Sequence, residues 1–74
     1  MRIQVSCFAT LSRYAPTDGF LEIKEGATPI DVIDQLSIPR EEVKIVFVNG
    51  QNSGKEIELQ EDDRVGIFPA IGGG

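Results

Sequence analysis

The chain has 74 residues, a hydrophobic content of 41% and a formal net charge of −5. This length suits one small domain, and this hydrophobic content predicts a folded chain rather than a disordered one. The acidic balance argues against nucleic-acid binding, and no apolar run reaches the roughly 20 residues of a membrane span. A cytoplasmic protein is expected, because the N-terminus lacks a signal peptide's apolar block and one cysteine excludes an internal disulfide.

The residue types that are missing exclude several kinds of chemistry. The sequence contains no histidine and a single cysteine, Cys7. Zinc sites and nucleophile pairs that depend on histidine are therefore not expected, and we predict no metal site and no bound cofactor. Cys7 alternates with Ser6 and Phe8, which predicts a small buried residue rather than a reactive thiol. Segment 50–55, GQNSGK, lacks the spacing of a phosphate-binding loop and is predicted to be a turn.

Two strands are predicted in the first part of the chain. Apolar and polar residues alternate over 3–9, which is typical of a half-buried strand. A second short strand is predicted over 20–24, after the turn signal at 16–19. The two segments predict a hairpin with a long loop.

A short helix is predicted next. Thr28 can act as N-cap, Pro29 suits the first helical position, and Asp31 completes an approximate capping box. The helix is predicted to run to about Leu36, because Pro39 cannot continue it. One further turn is predicted over 40–42. The residues at helical spacing on its apolar side are Ile30, Ile33 and Leu36, with Val32 flanking.

The second half of the chain predicts three more strands, over 44–48, 56–59 and 64–68, separated by turns. The order β-β-α-β-β-β predicts a two-layer α+β domain with one principal helix on one face of a mixed, four- to five-stranded sheet. We assign 1–69 to this domain and 70–74 to a flexible tail. The residues predicted to point inward, into the core between helix and sheet, are Val5, Leu21, Ile23, Ile30, Ile33, Val46, Val48, Val65 and Ile67.

The glycine-rich tail is the most informative segment. Gly72, Gly73 and Gly74 follow the last predicted strand, where they have no side chain to bury and much backbone freedom to lose. Such a tail forms a thin, flexible strand that can enter a narrow channel in another protein. The alternative is a frayed terminus without a function.

Four segments, together with the element order, give the chain a specific resemblance. It resembles the small MoaD/ThiS-like sulfur carriers of ubiquitin-like β-grasp fold, which include the small subunit of molybdopterin synthase and the thiamine-pathway carrier. The segments are 8–11 (FATL), 48–50 (VNG), 61–65 (EDDRV) and 68–74 (FPAIGGG). FATL and Phe68-Pro69 favour the molybdopterin branch. Ala70 stands where that branch usually has a second proline, and its tails usually end in two glycines.

The resemblance implies a carrier rather than an enzyme. An ATP-dependent activating enzyme would adenylate the carboxylate of Gly74, and sulfur would then replace AMP to give a thiocarboxylate. Gly73 would keep the tail narrow in both partner active sites. The sulfur would pass to a large synthase subunit in molybdopterin (molybdenum or tungsten cofactor) biosynthesis. Thiamine thiazole or another metabolite as acceptor, and a ubiquitin-like modifier joined through Gly74, remain alternatives, as does Gly73 as the working end.

A carrier must also be held through its folded body. Strand alternation predicts that Phe8, Phe47 and Phe68 lie on the face of the sheet opposite the helix, where they would form an exposed partner-binding patch. A shift of one residue in register would instead bury them. Pro69, Ile71 and Gly72 complete the predicted partner-binding set. The acidic residues of 56–63 are predicted to form a solvated face, and the net charge suits a partner with a basic surface.

Overall fold

The computed structural model describes residues 1–70, so predictions about residues 71–74 lie outside its range. Within that range, no helix has the length and apolar character needed to cross a membrane. The strands and the α-helix are β1 (Arg2–Cys7), β2 (Phe20–Glu22), α1 (Pro29–Gln35), β3 (Val43–Val48) and β4 (Arg64–Pro69). Two 3₁₀ helices, Ala9–Tyr14 and Arg40–Glu42, complete the described structure.

The four strands form one mixed sheet in the order β2-β1-β4-β3. β1 and β4 lie side by side in parallel at the centre, and Val5 is the partner of Val65. β2 pairs with β1 and β3 pairs with β4, both antiparallel. The predicted α+β architecture, a mixed sheet with one principal helix, is therefore confirmed.

The capping residues of α1 behave as the sequence predicts. The backbone N–H of Thr28 donates to Asp31 Oδ2 at 2.9 Å, and Thr28 Oγ1 accepts from the Asp31 N–H at 3.5 Å. These two bonds form a capping box that satisfies N–H groups without a partner inside the helix. The buried side of the helix carries Pro29, Val32 and Ile33. Ile30, predicted to face inward, is only half-buried because it lies at the margin of this three-residue side.

One continuous core lies between the helix and the sheet. Seven of the nine residues predicted to point inward are buried, whereas Leu21 and Ile30 are half-buried. Leu11 and Leu59, which were not in the predicted set, are also buried. The core consists of Ile3, Val5, Cys7, Leu11, Ile23, Ala27, Val32, Ile33, Ile38, Val43, Val46, Val48, Leu59, Val65 and Ile67.

The predicted strand over 56–59 is wrong. This segment has no strand pairing, so the described order is β-β-α-β-β rather than β-β-α-β-β-β. Instead, Leu59 and the preceding Lys55 form backbone hydrogen bonds with the loop before α1 and with its first turn. The Leu59 N–H donates to Ala27 C=O at 2.8 Å, and Lys55 C=O accepts from the Ile30 N–H at 3.2 Å. Leu59 is buried from this loop, which explains why its apolar alternation resembled a strand.

The predicted hairpin with a long loop is confirmed, because β1 and β2 pair antiparallel, but the first strand is shorter than predicted. β1 ends at Cys7 rather than near residue 9, and Ala9–Tyr14 forms a 3₁₀ helix. Ala9 has a φ of 53°, in the left-handed region that ends an extended strand. Leu11 anchors the 3₁₀ helix because its side chain is fully buried in the core.

Candidate functional site

The three phenylalanines of the predicted patch lie together on the face of the sheet that does not contact α1. In β4, Val65, Ile67 and Pro69 are buried, so Phe68 points to the opposite side. Phe47 alternates in the same way with Val46 and Val48 of β3. The Phe8 side chain is 41% exposed, and Phe47 and Phe68 are half-buried. The alternative register, with all three rings in the core, is therefore excluded.

The three rings form one packed group, which we call the aromatic cluster (Phe8, Phe47 and Phe68). The rings of Phe8 and Phe68 are stacked, with centroids 4.3 Å apart and planes 5° from parallel. Phe47 meets the Phe68 ring edge-on at 5.4 Å and 82°. Both geometries are favourable for aromatic pairs. Phe68 is therefore the central ring, in contact with both of the others.

Gly66 lies beneath this cluster, and its lack of a side chain leaves room for the rings of Phe8 and Phe68. A Cβ atom at this position would lie 3.4 Å from Phe8 Cε2 and 3.5 Å from Phe68 Cε1. A larger side chain would therefore push against the stacked rings. Gly66 was not among the predicted site residues, although a glycine within a strand is a recognised signal of close approach.

Two depressions flank the aromatic cluster. The larger, of about 520 Å³, lies towards the end of β4, and we call it the tail-side cleft. Its lining residues are Phe8, Ala9, Lys44, Ile45, Phe47, Phe68, Pro69 and Ala70. The smaller, of about 270 Å³, is the Arg64-side depression. Its lining residues are Ser6, Phe8, Phe47, Gly50, Arg64, Val65, Gly66 and Phe68.

The predicted tail begins at the larger of these depressions. Pro69 is largely buried at the end of β4, and the Ala70 N–H donates to the Glu42 C=O at 3.4 Å. The chain beyond Ala70 therefore starts directly beside the aromatic cluster. Four predicted site residues, Ile71, Gly72, Gly73 and Gly74, lie outside the described residues, as does all of the predicted flexible tail except Ala70.

Part of the acidic segment before β4 has a structural role. Asp63 Oδ2 accepts from the Gln60 N–H at 2.8 Å, and Asp63 Oδ1 accepts from Asn49 Nδ2 at 2.9 Å. Asn49 Oδ1 in turn accepts from the Arg64 N–H at 3.0 Å. These bonds fix the turn that leads into β4. The other acidic residues of 56–62 are exposed, in agreement with the predicted solvated face.

Cys7 is buried on the helix side of β1, as predicted, with 9% of its surface exposed. Burial raises the pKa of its thiol, because the charged thiolate is poorly solvated there. This environment favours the neutral, weakly nucleophilic form. Among residues 1–70, no three potential metal ligands come together.

The mixed sheet in the order β2-β1-β4-β3, with α1 packed on one side, defines a ubiquitin-like β-grasp protein, and two solved structures share this fold. A structure from Pyrococcus furiosus, provisionally named molybdopterin converting factor, subunit 1, is 28% identical, with a TM-score of 0.75 over 96% of this chain and 99% of its own. SAMP1 from Haloferax volcanii covers 100% of both chains with a TM-score of 0.73, but at 19% identity it supports the fold alone.

The family follows from a match in sequence. The model of the ThiS family matches residues 5–74, which is nearly the whole chain. The chain therefore belongs to the ThiS family and has the MoaD/ThiS fold of ubiquitin-like sulfur carriers. No match was found among curated proteins.

Proposed function

We propose that this chain is a sulfur carrier whose C-terminal Gly74 becomes a thiocarboxylate and donates its sulfur in molybdopterin biosynthesis. The observation that carries the proposal is the family match over residues 5–74, which includes the glycine tail as well as the folded body. The Pyrococcus furiosus structure is matched over almost its full length. Its name, molybdopterin converting factor, subunit 1, supports the choice of the molybdopterin pathway. The aromatic cluster lies on the outer face of the sheet beside Ala70, and this position supports a docked carrier.

The proposed chemistry takes place on the terminal carboxyl group. In an activating enzyme, an oxygen of the Gly74 carboxylate attacks the α-phosphorus of ATP and displaces pyrophosphate, which gives an acyl adenylate. Sulfide then attacks the acyl carbon, AMP leaves, and a thiocarboxylate remains. If the sulfur arrives as an enzyme persulfide, the product is an acyl disulfide. A thiol must then reduce it, releasing the thiocarboxylate and forming a new disulfide.

The chain contributes delivery rather than catalysis in this proposal. It has no histidine, and its one thiol is buried, which raises the pKa of that thiol and favours the neutral form. The activating enzyme uses the ATP, and the carrier holds no cofactor of its own. Gly72 and Gly73 keep the tail narrow, while the aromatic cluster, Pro69 and Ile71 bind the activating enzyme and then the large synthase subunit. The carrier is thus the sulfur-donating subunit of a synthase, with no catalytic residue of its own.

The proposal is tested by intact mass spectrometry. The mass of the isolated protein first establishes whether Gly74 carries the free carboxyl group. Incubation with the cognate activating enzyme, ATP and a sulfur donor should then add the mass difference between sulfur and oxygen. Deleting residues 73–74 should abolish this shift without unfolding the domain, and Gly73→Val should block it sterically. Cys7→Ser serves as the control and should leave it unchanged.

Other results of the same experiment would contradict the proposal. Sulfur on Cys7 as a persulfide, with Gly74 unmodified, would indicate a thiol carrier. A ladder of isopeptide conjugates without a thiocarboxylate would indicate a protein modifier. Activity that survives deletion of Gly74 alone would place the working end at Gly73.

The ThiS family match favours a second candidate acceptor, the thiazole of thiamine. The carrier chemistry is the same in both pathways, so formation of the thiocarboxylate cannot distinguish them. Reconstitution can: the thiocarboxylated carrier is mixed either with a large molybdopterin synthase subunit and its precursor or with a thiazole synthase and its substrates. Loss of sulfur from the carrier in only the first mixture is the expected result.

A further inference from the structure

The charged residues that flank the aromatic cluster are basic, whereas the net charge of the whole chain is negative. The net charge is −5, which alone suggests a partner with a basic surface. Arg64 is one of the residues that line the Arg64-side depression, and Lys44 is one of those that line the tail-side cleft. Neither is lined by any of the twelve Asp and Glu residues, all of which lie within the described range. Each side of the aromatic cluster therefore presents one cation and no carboxylate.

The rest of the outer face, which is the side of the sheet opposite α1, also carries few carboxylates, as the alternation of side chains along the strands shows. Among the four described strands, Glu22 of the edge strand β2 is the one carboxylate on that side, and it lies opposite Arg2 of β1. Arg2 in turn stacks over the Phe20 ring, with its guanidinium carbon 4.2 Å from the ring centroid. The other carboxylates lie in turns, loops and the helix layer. Among the described residues, no strand carboxylate therefore lines a depression beside the aromatic cluster, and Glu42 adjoins the tail-side cleft through its backbone bond to Ala70.

Within residues 1–70, the side chains of Lys44 and Arg64 form no salt bridge and no hydrogen bond to another protein group. Both side chains are exposed to water in the free protein. A partner that covers the aromatic cluster must remove part of this water, because each cation lines a depression formed by the same rings. Removing water from a cation without supplying an opposite charge makes the free energy of binding less favourable.

We propose that the partner surface that receives this face is apolar at its centre and carries carboxylates at two positions, one opposite Arg64 and one opposite Lys44. The occupant is a protein, because the net charge of the chain repels a polyanion, whereas carboxylates on an apolar surface satisfy both the rings and the cations. The inference rests on the proposed function, which supplies the partners: the activating enzyme and the large synthase subunit. It reverses the prediction of a basic partner surface that follows from net charge alone.

Charge reversal at matched positions tests the proposal. Arg64→Glu and Arg40→Glu alter the net charge equally. Arg40 lies on the helix layer, where its guanidinium bonds to Asp34 of α1, and it lines neither depression. Binding of the wild-type chain and of each variant to the purified activating enzyme and to the large synthase subunit is measured by surface plasmon resonance at low and high salt. Thermal unfolding of each variant verifies that the fold is intact.

We expect Arg64→Glu to slow association about tenfold at low salt, because an attraction becomes a repulsion, and we expect high salt to reduce the difference. Lys44→Glu should act in the same direction, and Arg40→Glu should change association less than about twofold. Replacing the facing carboxylate of the partner by lysine should restore binding of Arg64→Glu. Equal effects of Arg64→Glu and Arg40→Glu would show that only net charge matters and would overturn the proposal. So would tighter binding of Arg64→Glu.

The two proposals fail in different ways. If the wild-type chain acquires its thiocarboxylate but Arg64→Glu binds as well as wild type, only the charge inference is wrong. If the wild-type chain binds neither partner and gains no sulfur, the proposed function is wrong and the charge inference falls with it.

Discussion

The geometry of the aromatic cluster predicts how much each ring contributes to the free energy of unfolding. Phe68 contacts two rings, one stacked at 4.3 Å and one edge-on at 5.4 Å, whereas Phe8 stacks on Phe68 alone. Each aromatic pair contributes about 0.5–1.5 kcal/mol beyond the area it buries. Phe68→Ala should therefore lose about 1–3 kcal/mol from pair interactions, and Phe8→Ala about half of that. Phe8 also buries less surface, because 41% of it is exposed.

A double-mutant cycle isolates the stacked pair from the rest of the cluster. The free energy of unfolding is measured in urea for the wild type, Phe8→Ala, Phe68→Ala and the double variant. We expect a coupling energy of about 0.5–1.5 kcal/mol between Phe8 and Phe68. The cycle between Phe8 and Phe47, which form no ring pair within the described structure but share Phe68 as a neighbour, is the comparison and should give a clearly smaller coupling than the stacked pair. The reasoning is refuted if the first cycle shows no coupling, or if Phe8→Ala costs more than Phe68→Ala.

The remaining predictions concern the core. Ile33→Ala should lower the free energy of unfolding by about 2–5 kcal/mol because Ile33 is 1% exposed, and urea unfolding should show a clearly smaller loss for the half-buried Ile30→Ala; equal losses would contradict the assigned helix face. Burial raises the folded-state pKa of Cys7 above its ordinary value of 9.0, so its contribution to stability is complete below the unfolded-state pKa and is lost as the pH rises through the folded-state pKa. The wild type should therefore lose more stability than Cys7→Ser between neutral and strongly alkaline pH, as measured by urea unfolding, and identical pH profiles would show that the thiol is not desolvated.

Local sequence patterns were sufficient where the interacting residues lie within a few positions of one another in the chain. Thr28, Pro29 and Asp31 form the predicted cap because each acts on groups within one turn of the helix. β3 and β4 were predicted within one residue at each end, because their β-branched and aromatic residues alternate between two well-defined faces. The same alternation placed all three rings of the aromatic cluster on the outer face. Local patterns thus define both the core and the candidate docking surface.

Local rules failed where a distant contact decides the structure. The 3₁₀ helix after β1 is held by Leu11, whose burial depends on elements that no local pattern brings together. Segment 56–59 alternates like a strand, but its Leu59 is hydrogen-bonded to the loop before α1. The positions of Lys44 and Arg64 beside the aromatic cluster were also not predicted. The net charge sums over the whole surface, and only the fold shows which face carries which charged residues. Lys44 and Arg64 lie twenty positions apart in sequence and flank the same rings.

The parallel pairing of β1 and β4 determines how the domain would respond to a mechanical load. β1 starts at residue 2 and β4 ends at residue 69, so tension between the two ends of the chain pulls these neighbouring strands in opposite directions along their length. Such shear loads the evenly spaced hydrogen bonds between the strands together, rather than opening them one after another. An enzyme that draws on the segment after Pro69 would pull on β4, one of the two central strands of the sheet. The body should then follow as a rigid unit and not unravel from the end that is held.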